Sequence, residues 1–211
     1  MASQRSYGGV PADQRRAVRR AALIDAGLDV IGTSGFARLT VAGLCARAGL
    51  NERYFYENFA SSEDVLLAVF DEVVGEITAA IVGAVAAAPD DSRAKARAAI
   101  GAAVELLTDD PRKTRVMFVE PLAVPALNSR RADVGRAFAA LIVGQAHEFY
   151  GPATALRIGS WGDFAAAHLL GGLAETMTAW VRGDLPITRD ELIERSTDLF
   201  VLVGEHVVGT A

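Results

Sequence analysis

The sequence predicts an all-α protein of about nine helices. Three observations carry that expectation. Apolar residues recur at helical spacing, strand-like alternation is sustained nowhere, and proline, glycine or aspartate breaks separate segments of helix length. Just over half of the 211 residues are hydrophobic, enough for a substantial core without disulfides. Cys45 is the only cysteine, which excludes an intrachain disulfide and fits a reducing cytosol. The polar N-terminus has no apolar signal region. The longest apolar run, 77–88, falls short of the roughly 20 residues a membrane span needs. A cytoplasmic protein without membrane contact is expected.

Residues 1–12 contain Gly8, Gly9 and Pro11 without apolar periodicity and read as a flexible arm. The first helix is expected from Asp13 to Ser34, with Ile24, Leu28 and Ile31 as its buried stripe and Gly35 as the residue past its end. Thr40 caps a short helix through Arg47, Gly49 makes a turn, and Asn51 caps a third helix ending near Asn58. Ser61 with Asp64 forms a capping box that opens a fourth helix to about Ala88. Pro89 to Ser92 breaks the chain before a helix over 93–108. Pro111 starts the next segment as a first helical residue, and Pro121 and Pro125 interrupt the chain beyond that segment. Further helices are expected over 128–150 and 153–182. Thr188 with Glu191 opens the last helix.

The segment Leu39 to Phe59, LTVAGLCARAGLNERYFYENF, is the most informative stretch. Two short helices joined by a glycine turn suit a helix-turn-helix DNA reader, whose second helix lies in the major groove. Ala42, Gly43, Cys45, Ala46 and Gly49 supply the small residues a close crossing needs, so Cys45 reads as a small buried hydrophobe. Phe55 and Phe59, four apart, are expected to pack inward with Leu44 and Leu50. The opposite face carries Arg53 and Glu57, flanked by Tyr54 and Tyr56. Arg53 suits a bidentate pair with guanine, and the tyrosines suit phosphate or a thymine methyl. Glu57 either accepts from a cytosine amino group or orients Arg53 at i, i+4; we favour the orienting role. Arg15, Arg16, Arg19 and Arg20 start the first helix, where cations oppose the helix dipole. Phosphate contact and a solvated helix face both account for them. Charge is divided in the same sense. Residues 1–60 hold eight arginines against five acids, a balance of +3, and residues 61–211 hold thirteen bases against twenty-one acids, a balance of −8.

Residues from Arg15 to Phe70 resemble the tetracycline-repressor (TetR) family of bacterial transcriptional regulators. The matching pieces are AALIDAGLDVIGTSGFARLTV, LCARAGLNERYFYENF and SSEDVLLAVFDEV, about a quarter of the chain. The resemblance implies a three-helix DNA-binding domain, taken here as 13–60, and a helical effector-binding and dimerisation domain over 61–211. It implies that Thr40 bonds a phosphate, that Asn51, Glu52, Arg53 and Tyr54 face bases, and that Tyr56 bonds the backbone. The partners it implies are double-stranded operator DNA, a small-molecule effector and a second copy of the chain. Two positions depart from the family's pattern. Ser62 stands where a lysine is common, removing the basis for one phosphate contact. Glu57 stands where a basic or neutral residue is common, so operator preference does not carry over.

In the body, Met117, Phe118, Phe138, Leu141, Gln145, Trp161, Phe164 and His168 are candidates for lining an apolar effector pocket, with ordinary core packing as the alternative. Trp161 and His168, seven apart, share a helix face. The resemblance implies dimerisation through the last two long helices. Leu169, Leu170, Leu173, Met177 and Trp180 stripe one, and Leu192, Leu199, Phe200, Val203 and Val207 stripe the other. An all-α enzyme is the competing reading. It has little support: His147, His168 and His206 are the only histidines, and no zincin spacing, GxSxG, P-loop or GxGxxG context is present. No catalytic residue, metal or cofactor is therefore expected. A ligand-binding protein whose DNA reader has decayed is the third reading, opposed by the intact Thr40, Gly49, Tyr56 and Phe59.

Overall fold

Short polar side chains start most of the helices. The computed structural model of the chain describes residues 11–210, apart from the side chains of 122, 150, 152–157 and 210. The flexible-arm expectation for residues 1–10 lies outside the described residues. Among them there are nine α-helices and no strand. These are α1 (Ala12–Ser34), α2 (Val41–Ala48), α3 (Glu52–Tyr56), α4 (Ser62–Ala87), α5 (Ser92–Asp109), α6 (Pro111–Phe118), α7 (Pro125–Tyr150), α8 (Pro152–Val181) and α9 (Arg189–Thr210).

The two capping boxes form reciprocally. Asp64 N donates to Ser61 Oγ at 3.2 Å and Ser61 N to Asp64 Oδ2 at 3.0 Å. Glu191 N donates to Thr188 Oγ1 at 3.1 Å and Thr188 N to Glu191 Oε2 at 2.9 Å. Asp91 and Asp110 cap α5 and α6, and Pro111 begins α6 as expected. Pro125 differs from expectation: it is the first residue of α7 and not an interruption, because its missing N–H falls where a helix has no use for one. A 3-10 turn over Phe36–Arg38, which no cap or breaker announced, joins α1 to α2. In α8, Gly159 leaves helical geometry (φ 46°, ψ −135°) in a segment expected to be continuous.

The chain forms two compact units, Met1–Glu72 and Val73–Ala211. The first reaches beyond residue 60 because the start of α4 belongs to its core. Val65, Leu66, Val69 and Phe70 are buried with Leu23, Ile31, Leu44, Phe55 and Phe59. On α1 the buried face is Leu23, Ala26, Gly27 and Ile31, while Ile24 and Leu28 flank it half-buried. The stripe turns this way because Gly27, without a Cβ, admits Val65 and Val69 against the helix backbone.

In the second unit α7 packs on α8, and α9 packs on both α5 and α8. Its core holds Ile100, Val104, Leu107, Val116, Met117, Phe118, Leu127, Met177, Leu192 and Ile193. Ile158, Ala165 and Val207 pack together between α8 and α9, with Val203 against them. Arg93 bridges to Glu194 at 3.2 Å and Asp198 at 2.6 Å across α5 and α9. These exposed pairs add little net stability individually.

Candidate nucleic-acid interface

The reader is built from α1, α2 and α3. Thr40 Oγ accepts from Gly43 N at 3.1 Å and starts α2. A hydroxyl that accepts this way keeps its own hydrogen as a donor. Gly49 ends α2 in the left-handed region (φ 65°, ψ 30°), which a residue with a Cβ enters only at a cost. Asn51 Oδ1 then accepts from Tyr54 N at 3.2 Å and starts α3. Phe55 and Phe59 are buried with their rings 6.0 Å apart, Leu44 is buried as well, and Leu50 is half-buried. Cys45 is buried, and that burial, aided by nearby Glu52, pushes its thiol pKa up. It is a packing residue.

With Phe55 fixed inward, Arg53 must point out, and its side chain is 83% exposed. Tyr56 is exposed as well. Arg53 Nε donates to Glu57 Oε1 at 3.1 Å, one helical turn away. The other carboxylate oxygen of Glu57 lies 3.4 Å from Arg19 Nη2, and the Glu57 carbonyl accepts from Arg16 Nη2 at 2.7 Å. Arg19 stacks over the Tyr54 ring at 4.4 Å, and Arg20 stacks over Phe59 at 4.4 Å. Asp13, Arg16, Ala17, Arg20 and Asn58 line a shallow depression between α1 and the end of α3. The arginines of α1 thus stand beside the outward face of α3. The arrangement offers cations for phosphate next to a guanidinium for a base edge.

Residues 23–69 match the family described as bacterial regulatory proteins, tetR family. That likeness takes in the second half of α1, all of α2 and α3 and the start of α4. No curated protein matches the chain by sequence. Solved structures share its fold. The fatty acid degradation regulator FadR from Bacillus halodurans superposes with a TM-score of 0.70 at 20% identity, over 93% of this chain and 97% of that one. FadR from Bacillus subtilis in complex with stearoyl-CoA gives 0.66 at 21% identity, over 87% and 96%. A tetR-family regulator from Streptomyces coelicolor gives 0.68 at 14% identity, over 92% and 83%.

In the first unit, Arg16, Thr40, Asn51, Glu52, Arg53 and Tyr56 are exposed, and Arg15 is half-buried. Tyr54 is half-buried beneath Arg19 and faces α1 more than the open side. That contact spans 35 positions of sequence, so no local spacing announced it.

The body candidates separate differently from expectation. Met117 and Phe118 are buried and Phe138 is half-buried. Leu141 and Gln145 are exposed, and Gln145 bonds Glu148 at 3.0 Å. Trp161, Phe164 and His168 do share a face, as a stacked ladder with ring separations of 5.4 and 6.0 Å, but that face is the outside of α8. The inward face is taken by Ile158, Ala165 and Ala166, which sets the aromatic positions off the core. The dimer stripes divide too. Met177, Leu192 and Val207 are buried in the chain's own core, and the Trp180 indole donates to Ile187 O at 2.8 Å. Leu199 is 58% exposed and Leu202, absent from the expected stripe, 64% exposed. The spacing of 199 and 202, three apart on α9, was the available signal. Among the described residues no cluster of His, Cys, Asp or Glu could hold a metal ion, and no helix is long and apolar enough to cross a membrane.

Proposed function

We propose that this protein is a ligand-responsive repressor that binds palindromic operator DNA as a dimer and is released by a lipophilic effector. The observation that carries the reading is the capped α2–turn–α3 pair. It exposes Arg53 beside Arg16 and Arg19 of α1. In this reading Arg53 donates to a guanine, and Asn51 and Glu52 face neighbouring bases. Thr40, Tyr56, Arg15 and Arg16 bind phosphates, and Tyr54 supports Arg19. The exposed apolar faces of α8 and α9 pair with a second copy, giving two readers related by a two-fold axis. The effector class is suggested by buried Met117 and Phe118 in the body and by the fold's likeness to a FadR solved with stearoyl-CoA. Effector binding would stabilise a dimer that no longer fits the operator, a coupling free energy between two sites.

Selection of bound duplexes from a random pool tests the reading. Wild type should enrich an inverted repeat with half-site centres about 34–36 Å apart, or a multiple of that. Arg53→Ala should lose the preference at one position per half-site. Adding long-chain acyl-CoA should release the enriched duplex. Enrichment of no sequence, or of the same sequence by Arg53→Ala, would refute the DNA-reading role. Retention of DNA at saturating acyl-CoA would refute that effector class.

A further inference from the structure

We propose that Glu57 is a positioning residue for base reading: it selects the donor edge that Arg53 presents and ties that arginine to α1. The inference rests on the DNA-reading role proposed above. A carboxylate on the outward face of a DNA reader is costly, because it opposes the phosphates that supply most of the affinity. Its placement shows what it does in return. Oε1 accepts from Arg53 Nε at 3.1 Å, and Oε2 lies 3.4 Å from Arg19 Nη2. The residue's carbonyl takes the Arg16 guanidinium at 2.7 Å. One residue is therefore shared by three arginines, two on the helix beside the backbone and one on the reading face.

A guanidinium carries five donors in a rigid fork. When Nε is held by a carboxylate, the fork cannot turn that edge outward. The Nη1/Nη2 end remains as the donor pair, and a bidentate donor pair is what guanine O6 and N7 accept. Arg19 fixes the carboxylate from the far side and is itself seated on Tyr54. Glu57 thus lowers affinity for all DNA and raises discrimination at one base pair.

Two near-isosteric variants separate these effects. Glu57→Gln removes the charge and keeps an acceptor, whereas Glu57→Met removes both. Each should bind random-sequence duplex more tightly than wild type, by the same factor, because each removes one negative charge. Glu57→Met should lose about tenfold in preference for the base pair facing Arg53, within the range one bidentate contact supplies, while Glu57→Gln keeps most of it. Glu57→Asp keeps the charge but falls one methylene short of Arg53 Nε. It should keep wild-type affinity for random duplex and still lose preference. In an Arg53→Ala background none of these changes should alter preference, which identifies the route of action. Circular dichroism and tight random-duplex binding report that each variant is folded. Preference unchanged in both Glu57→Met and Glu57→Asp would overturn the inference alone. A wild type with no base preference would overturn the DNA-reading role and this inference with it.

Discussion

At Gly27 a side chain would have nowhere to go. A Cβ there would come within 2.9 Å of the methyl groups of both Val65 and Val69. Valine side chains are stiff at χ1, so neither methyl can swing clear without moving its helix. Alanine ordinarily gains about 1 kcal/mol over glycine inside a helix. Overpacking at a tight contact costs about 1–3 kcal/mol. Gly27→Ala should therefore be destabilising by about 1 kcal/mol. Gly75→Ala, whose Cβ would meet nothing within 4 Å, should be neutral or stabilising by up to about 1 kcal/mol. Urea unfolding of the two variants checks the pair, and a stabilised Gly27→Ala would contradict the close approach. Arg53 and Glu57 are one turn apart on a single helix, so their bond was legible. The Arg19–Tyr54 stack joins residues far apart in the chain, and no local pattern encodes it.

Helix starts are local events and were legible for the same reason. A cap needs an oxygen within about three residues of the N–H it accepts, so Thr40, Asn51, Ser61 and Thr188 could be placed from spacing alone. The outside of α8 was not legible. Trp161, Phe164 and His168 have the periodicity of a buried stripe, and only the packing of Ile158 and Ala165 on Val207 decides that another face is buried. The break between α5 and α6 carries a prediction of its own. Asp110 caps α6 through Arg112 N at 3.1 Å, and its carboxylate accepts from the Arg112 guanidinium at 2.9 and 2.8 Å. The Arg112 side chain, and secondarily its backbone N–H, holds the Asp110 pKa below the ordinary aspartate range against the opposing effect of burial. A carboxyl whose folded pKa is depressed stabilises the fold above the unfolded value, about 3.9 for aspartate, and loses that contribution as pH falls through the lower folded value. Asp110→Asn keeps a capping oxygen but not the charge. It should be less stable than wild type by about 0.5–1 kcal/mol at pH 6, a figure discounted for partial exposure. The gap should begin to shrink below about pH 4 and keep shrinking as pH falls towards the lowered folded value. Denaturant unfolding at pH 6 and pH 3 reads it, and a gap that stays constant would show that the charge contributes nothing.

Among the described residues, α8 and α9 leave several large apolar side chains open to solvent. Trp161 and Phe164 on α8 are 42% and 61% exposed, and Leu199 and Leu202 on α9 are similarly open. Ile158 and Ala165 of α8 pack with Val207 and Val203 of α9, so the exposed residues lie along the same stretch of the helix pair. Exposed apolar side chains on these two helices suit the dimer proposed above, because in a two-fold interface each copy supplies the same face to the other. Charge is divided in a sense that suits the proposed roles, acidic over residues 61–211 and basic over residues 1–60. Dimerisation and DNA reading should then be separable by one substitution. Leu202→Glu places a charge in the proposed interface without touching the core, so the chain should keep its helical circular dichroism and sediment as a monomer. Binding to a single half-site should be unchanged. Binding to the full palindrome should fall by about a hundredfold or more, since linking two readers multiplies affinity by an effective concentration that a monomer lacks. Sedimentation velocity together with half-site and full-site titrations decides the matter. A Leu202→Glu protein that stays dimeric would move the interface off this face. One that becomes monomeric yet binds the palindrome at full strength would mean that a single reader suffices.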